Sequence, residues 1–204
     1  METLTKSMKL DLPVPYYSQK EEEVMLKYGR KGCVLTALRM VLAYYGRVIN
    51  FEQLCDKANQ IGAYTEEQGW IHSGLVTIAR DFGLKGFRIN FSQLNDQDLD
   101  NVGPILANEG SSSEEIKEFK KNFYFAKEQG RLAVIDQFLE EKIPVIASME
   151  KSYSNTLATH AVVIKGLEDD KYILNDPWDF GQNYSIEKSK FDEGWTKRAI
   201  IIYK

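Results

Sequence analysis

The stretch GCVLTALRMVLAYYG, residues 32–46, constrains the fold more than any other part of the chain. Between positions 33 and 45 only Thr36 and Arg39 are clearly polar. A helix that is apolar nearly all the way round has no face to give to water, so it must be covered on most sides. This segment therefore predicts the central helix of a domain, closed by Gly46 at its C-terminal end. Cys33 opens it, directly after Gly32. The unpaired amide N–H groups and the dipole at a helix start stabilise a thiolate, which makes Cys33 a candidate nucleophile. The competing reading is a small apolar residue at a core helix end.

Around this helix the pattern changes from helical to extended along the chain. Residues 10–17, with two prolines, predict an edge strand or extended arm. Residues 18–32 are charged and predict a surface loop with a short helix. Residues 51–60 predict an amphipathic helix after Asn50, a good N-cap, with Cys55 on its apolar side beside Phe51 and Leu54. Residues 71–82 and 131–141 predict further helices, and 86–91 a strand. In the last third, IPVIASM, THAVVIKGL, KYILNDP and RAIIIY are short apolar runs divided by turn residues, which predicts an antiparallel sheet. Helices first and strands after give an α+β class. Residues 93–130 hold eight acids and four lysines and few aliphatics. They predict an insertion or flap near the cleft, with a capped, exposed helix from Ser113, inside one domain that spans 1–204.

Three further positions bear on the chemistry of Cys33. His160 opens the apolar run AVVIKGL after a polar stretch, where it can face a cleft as general base toward a thiol. The strand KYILND returns beside it through the turn at Asp169 and Asp170, so Asp176 or Asn175 comes back next to His160. Neighbouring strand residues point to opposite faces, so only one of the two can orient the imidazole. Gln19, in the arm, is an amide that could donate to a developing oxyanion. His72, with no acid at matching spacing, reads as structural or exposed.

Composition closes other routes. With 30 acidic against 26 basic residues the chain has a net charge of −4, which argues against general nucleic-acid binding. Two His and two Cys without a CxxC or HxxxH spacing leave poor material for a zinc site. No Gly-rich phosphate loop is present, and no cofactor is implied. No run reaches the roughly 18–20 apolar residues that cross a bilayer. The N-terminus carries no stretch of signal-peptide length, which predicts a cytoplasmic protein as the chain stands, with a secreted or surface-exposed protein as the alternative if a signal was removed.

Taken in order, PYYSQ, GCVLTALRMVLAYYG, Gly69-Trp70, PVIAS, HAVVIKG, NDPW and FDEGW resemble the double-glycine-leader peptidase-like group of papain-like cysteine peptidases. That group includes the leader-cleaving domains of bacteriocin exporters and stand-alone bacterial relatives. The resemblance implies a papain-like fold, with a helical N-terminal half packed on a C-terminal antiparallel sheet. It also implies Cys33 as nucleophile, His160 as general base, Asp176 as orienter, and Gln19 as oxyanion donor with the Cys33 backbone N–H. The Cys-to-His gap of 160 − 33 = 127 residues is close to the papain-like spacing of about 130. Two departures stand out: Val34-Leu35 where Gly-Pro often follows the cysteine, and 33 − 19 = 14 residues from Gln19 to Cys33 in place of a short loop. The implied activity is hydrolysis of a peptide or related amide, with a peptide or protein as partner and no metal or organic cofactor. Binding without turnover and acyl transfer to an amine are alternative uses of the same site.

Overall fold

A computed structural model describes residues 9–65, 69–93, 96–150 and 160–204. Eight helices are described: α1 (Glu22–Tyr28), α2 (Cys33–Tyr44), α3 (Phe51–Gln60), α4 (His72–Asp81), α5 (Asp96–Asn108), α6 (Ser113–Gln129), α7 (Arg131–Glu140) and α8 (Lys188–Gly194). The strands are β1 (Lys9–Asp11), β2 (Tyr64–Thr65), β3 (Gly69–Trp70), β4 (Lys85–Asn90), β5 (Val145–Met149), β6 (His160–Glu168), β7 (Lys171–Asp176), β8 (Gly181–Glu187) and β9 (Trp195–Tyr203). Seven of them form one antiparallel sheet in the order β4-β9-β5-β6-β7-β8, with β1 added along β6. The class is α+β, with a mixed seam: β1 and β4, from the helical part of the sequence, complete the C-terminal sheet.

The central helix is where its pattern requires it. All of α2 except Arg39 and Tyr44 is buried. It lies against β6, while α4 covers β4 and β9 and α7 covers β5 and β6. Its end is a Schellman motif: Arg47 N–H donates to Leu42 C=O (2.9 Å) and Gly46 N–H to Ala43 C=O (2.9 Å), with Gly46 at φ 79°. At the start of α3, Asn50 and Gln53 form a reciprocal capping box.

The 93–130 segment carries more than its charge suggests. Its α6 begins after Ser112, one residue earlier than the expected cap, and it is not an exposed helix. Phe119, Phe123 and Ala126 are buried in the common core, spaced as one helical stripe. At its head Glu115 is buried. It accepts from Gly86 N–H (2.8 Å), Ser112 N–H (2.7 Å) and Arg80 Nε (3.0 Å). Arg80 spends its other nitrogens on Glu109 C=O (3.0 Å), Gly86 C=O (2.9 Å) and Ser111 Oγ (2.9 Å). Burial would raise the Glu115 pKa, but the donors around it hold the carboxyl below its ordinary value. So α6 is clamped to α4 and β4 by a saturated buried ion pair.

Candidate active site

Cys33 is the first residue of α2 and is buried. Gly32, before it, has an ordinary helical φ of −73°, so glycine is required there by space and not by conformation. A Cβ at that position would meet Val24 Cγ1 at 2.5 Å. Thr36, the one buried polar residue of the helix, donates its hydroxyl and its N–H to the Gly32 carbonyl (2.9 and 3.0 Å), which fastens the first turn. Cys55 is fully buried in the interior of α3, away from any helix start.

His160 meets Asp176 because of a single irregularity in the hairpin. Glu168 pairs with Lys171, Leu167 with Tyr172 and Gly166 with Ile173; then Lys165 is skipped, and Ile164 pairs with Leu174 and Val163 with Asn175. Continuing one step puts Asp176 opposite Val162, on the face that His160 shares. Without the bulge Asn175 would oppose Ile164 and take that face, since one residue of slip exchanges the two sides of a strand. The bulge is held from β1. Leu12 N–H donates to Lys165 C=O (2.8 Å), and the buried Lys165 ammonium bonds Asp11 and Asn183 Oδ1 (2.9 Å). A Cβ on Gly166 would lie 2.5 Å from the Leu10 carbonyl, so the close approach of β1 demands glycine. Asn175 is committed elsewhere: its Nδ2 donates to Val14 C=O (3.1 Å) and its Oδ1 accepts from Asn183 N–H (3.2 Å).

The resulting pair is fully enclosed. His160 Nε2 lies 2.7 Å from Asp176 Oδ1, which also accepts from Trp178 N–H at 2.7 Å. A carboxylate only accepts, so Nε2 carries the hydrogen. That leaves Nδ1 facing away from Asp176, and Cys33 is the other residue close enough to act on the ring. Asp176 Oδ2 has no hydrogen-bond partner among the described residues, so the buried negative charge is balanced chiefly by the ring. Burial acts to lower the His160 pKa. The bonds to Asp176 and Cys33 and the charges of both outweigh it and push the value up to about 10.

Gln19 joins the pair by way of the arm. Its N–H donates to Pro177 C=O (2.9 Å), just past Asp176, and its Cβ would be 3.8 Å from a Cβ on Gly32. It is buried beside the start of α2. Arg39, the other polar residue of that helix, fixes both flanks of Gln19. It lies over the Tyr17 ring at 4.1 Å and bonds Glu21 Oε2 at 3.3 Å. The 13 intervening residues are absorbed by α1 and a short 3-10 turn, Gly29–Lys31. The four residues singled out in the sequence thus converge, and His72 stands apart, 3.4 Å from Ser148 Oγ. Among the described residues no cluster of His, Cys, Asp and Glu could hold a metal ion.

The bulge at Lys165 is the feature that sequence reasoning missed. Its signal is a Lys-Gly pair interrupting an otherwise apolar strand. Among the described residues, no helix is long and apolar enough to cross a membrane.

A search of curated proteins returned no match. Among solved structures the fold is shared with a protein described as a C39-like peptidase from Bacillus anthracis, at 18% identity and a TM-score of 0.57, over 97% of this chain and 98% of that one. It is also shared with a double-glycine-motif protease from an AMS/PCAT transporter, solved in complex with the leader peptide, at 17% identity and a TM-score of 0.54, over 96% and 98%. These likenesses show a papain-like peptidase fold. Residues 11–199, nearly the whole chain, match the sequence profile of the peptidase C39-like family, and the chain belongs to that family.

Proposed function

We propose that the protein is a cysteine hydrolase that cleaves a peptide or related amide through Cys33, His160 and Asp176. The observation that carries this reading is the buried 2.7 Å bond from His160 to Asp176, with Cys33, the first residue of α2, close enough to act on the ring. With its pKa raised to about 10, the ring holds a second proton at neutral pH, ready for the leaving group. Sγ attacks the carbonyl carbon, and the oxyanion that forms takes the Cys33 backbone N–H and the Gln19 amide as donors. Nδ1 of His160 gives its proton to the leaving amine, the C–N bond breaks, and a thioester remains. Nδ1 then takes a proton from water, hydroxide adds to the thioester, and the acid departs as Cys33 returns to thiolate. Asp176 accepts from Nε2–H throughout and keeps the ring oriented.

The covered relative with a bound leader peptide supports a peptide as the substrate class. The test is labelling with an electrophilic peptide probe at neutral pH, followed by mass spectrometry of a digested peptide library. Labelling confined to Cys33 with cleaved products is the expected result. Labelling of Cys33 and Cys55 at equal rates, with no cleavage, would replace this reading by a peptide-binding module. Products joined to an added amine would replace hydrolysis by acyl transfer.

A further inference from the structure

A cleft of about 450 Å³ has walls that include Trp70, His72, Arg88, Asn90, Glu109 and Arg198. One wall is tied to the nucleophile's segment. Trp70 Nε1 donates to the Lys31 carbonyl at 2.5 Å, two residues before Cys33. The other wall is tied to the histidine's strand. His72 lies 3.4 Å from Ser148 Oγ, and Ser148 precedes Met149, the cross-strand partner of His160. On its other side Ser148 pairs with Arg198 of β9. The cleft is thus joined through Trp70 to the segment that leads into Cys33, and through Ser148 to the strand that pairs with β6.

The charges in the cleft do not cancel. Glu109 is matched by Arg88, whose Nε lies 3.1 and 3.0 Å from its two oxygens and whose Nη2 also bonds it. The Arg198 side chain makes no hydrogen bond or ion pair among the described residues, although it faces the same space. His72 is driven down to about 4 by burial first and then by Arg198 and Arg88, so it is neutral at neutral pH and adds no charge. One guanidinium, a planar fork of donors suited to a carboxylate, is left over.

We propose that this cleft receives an acidic side chain of the peptide substrate, with its carboxylate on Arg198. The proposal rests on the reading of the Cys33–His160 pair as a peptide site, and it names the substrate class that the site prefers. Arg198 is exposed, so the preference is moderate and weakens with salt.

The test is an NMR titration of the Cys33→Ala variant that follows Arg198 Nε–H and Trp70 Nε1–H. The probes are acetylated hexaglycine amides carrying one Glu, Gln or Lys at successive positions, together with acetyl-hexaglycine whose only carboxylate is its C-terminus. At one position the Glu peptide should bind about threefold more tightly than its Gln counterpart, as for an exposed ion pair. Arg198→Gln should erase that ratio, Arg198→Glu should turn it toward Lys, and Arg198→Lys should keep most of it, which separates charge from folding. Equal binding of Glu and Gln at every position, or a ratio that survives in Arg198→Gln, would overturn the proposal. Tighter binding of the peptide with the free C-terminus would overturn the side-chain assignment in favour of a chain end. Binding is read without turnover, so a failed hydrolase reading would appear separately, as an unlabelled Cys33 in the wild type with this preference intact.

Discussion

The molecule contains two buried ion pairs that look alike on paper and are built differently. Glu115 meets Arg80 at the head of α6, and Asp176 meets His160 at the end of the β6–β7 hairpin. Around Glu115 every donor is fixed: two backbone N–H groups take the carboxylate, and two backbone carbonyls and a hydroxyl take the remaining guanidinium nitrogens. Around Asp176 one oxygen accepts twice and the other has no partner among the described residues, while the ring beside it lies close enough to Cys33 for the two to influence each other. A saturated pair has nothing left to offer a reactant and serves as a clamp. A pair with a movable proton and a nucleophile in reach is equipped for chemistry.

The difference sets the order of the expected losses. Cys33→Ala should remove hydrolysis altogether, while Cys55→Ala, in the interior of α3, should leave it nearly intact; steady-state turnover on both variants checks this. Asp176→Asn should cost about 10²- to 10⁴-fold in kcat/KM, the usual worth of a positioned acid–base group. It should also draw the alkaline limb of the pH profile downward, because the strongest support for the raised His160 pKa is gone. Asn175→Ala, by contrast, should act on folding through the lost tie to Val14. Gln19→Ala should lower kcat by about a hundred- to a thousand-fold, as loss of one oxyanion donor does, with KM little changed and iodoacetamide still reacting at Cys33.

At the clamp the same kind of change should appear in stability. Glu115→Ala should cost about 3 kcal/mol, because it leaves a largely buried arginine without its partner; urea unfolding reads this. Since the folded-state pKa of Glu115 is depressed, its contribution is present above the ordinary glutamate value and is lost as pH falls through the folded value. Wild type should therefore lose stability on acidification more steeply than Glu115→Gln. Removing α6 should unfold the protein, since Phe119 and Phe123 leave the core with it.

The contrast also marks what the sequence could and could not disclose. The central helix was legible because thirteen nearly unbroken apolar positions admit few other structures, and the cap at Asn50 because its chemistry is local. Cys33 and His160 were legible because each sits where an element begins. The choice between Asn175 and Asp176 was legible only through the resemblance carried by NDPW and not from strand alternation, because it depends on the parity of a strand. Parity here turns on one skipped residue, Lys165, which is stabilised by an arm about 150 residues earlier in the chain. The clamp was hidden for another reason: eight acids drew attention away from a three-residue apolar stripe. The strand and helix at residues 181–194 gave no warning either, since GQNYSIE has few apolar residues and forms the sheet's outer edge.

The central claim is that His160, held by Asp176 and facing Cys33, carries both of its protons at neutral pH. It is tested most directly by following the His160 ring nitrogens by ¹⁵N NMR from mildly acidic to strongly alkaline pH. The claim predicts a doubly protonated ring at neutral pH that titrates at about 10, and a lower value in both Cys33→Ala and Asp176→Asn. A neutral ring at neutral pH in the wild type, titrating at or below the ordinary value of 6.5, would contradict it.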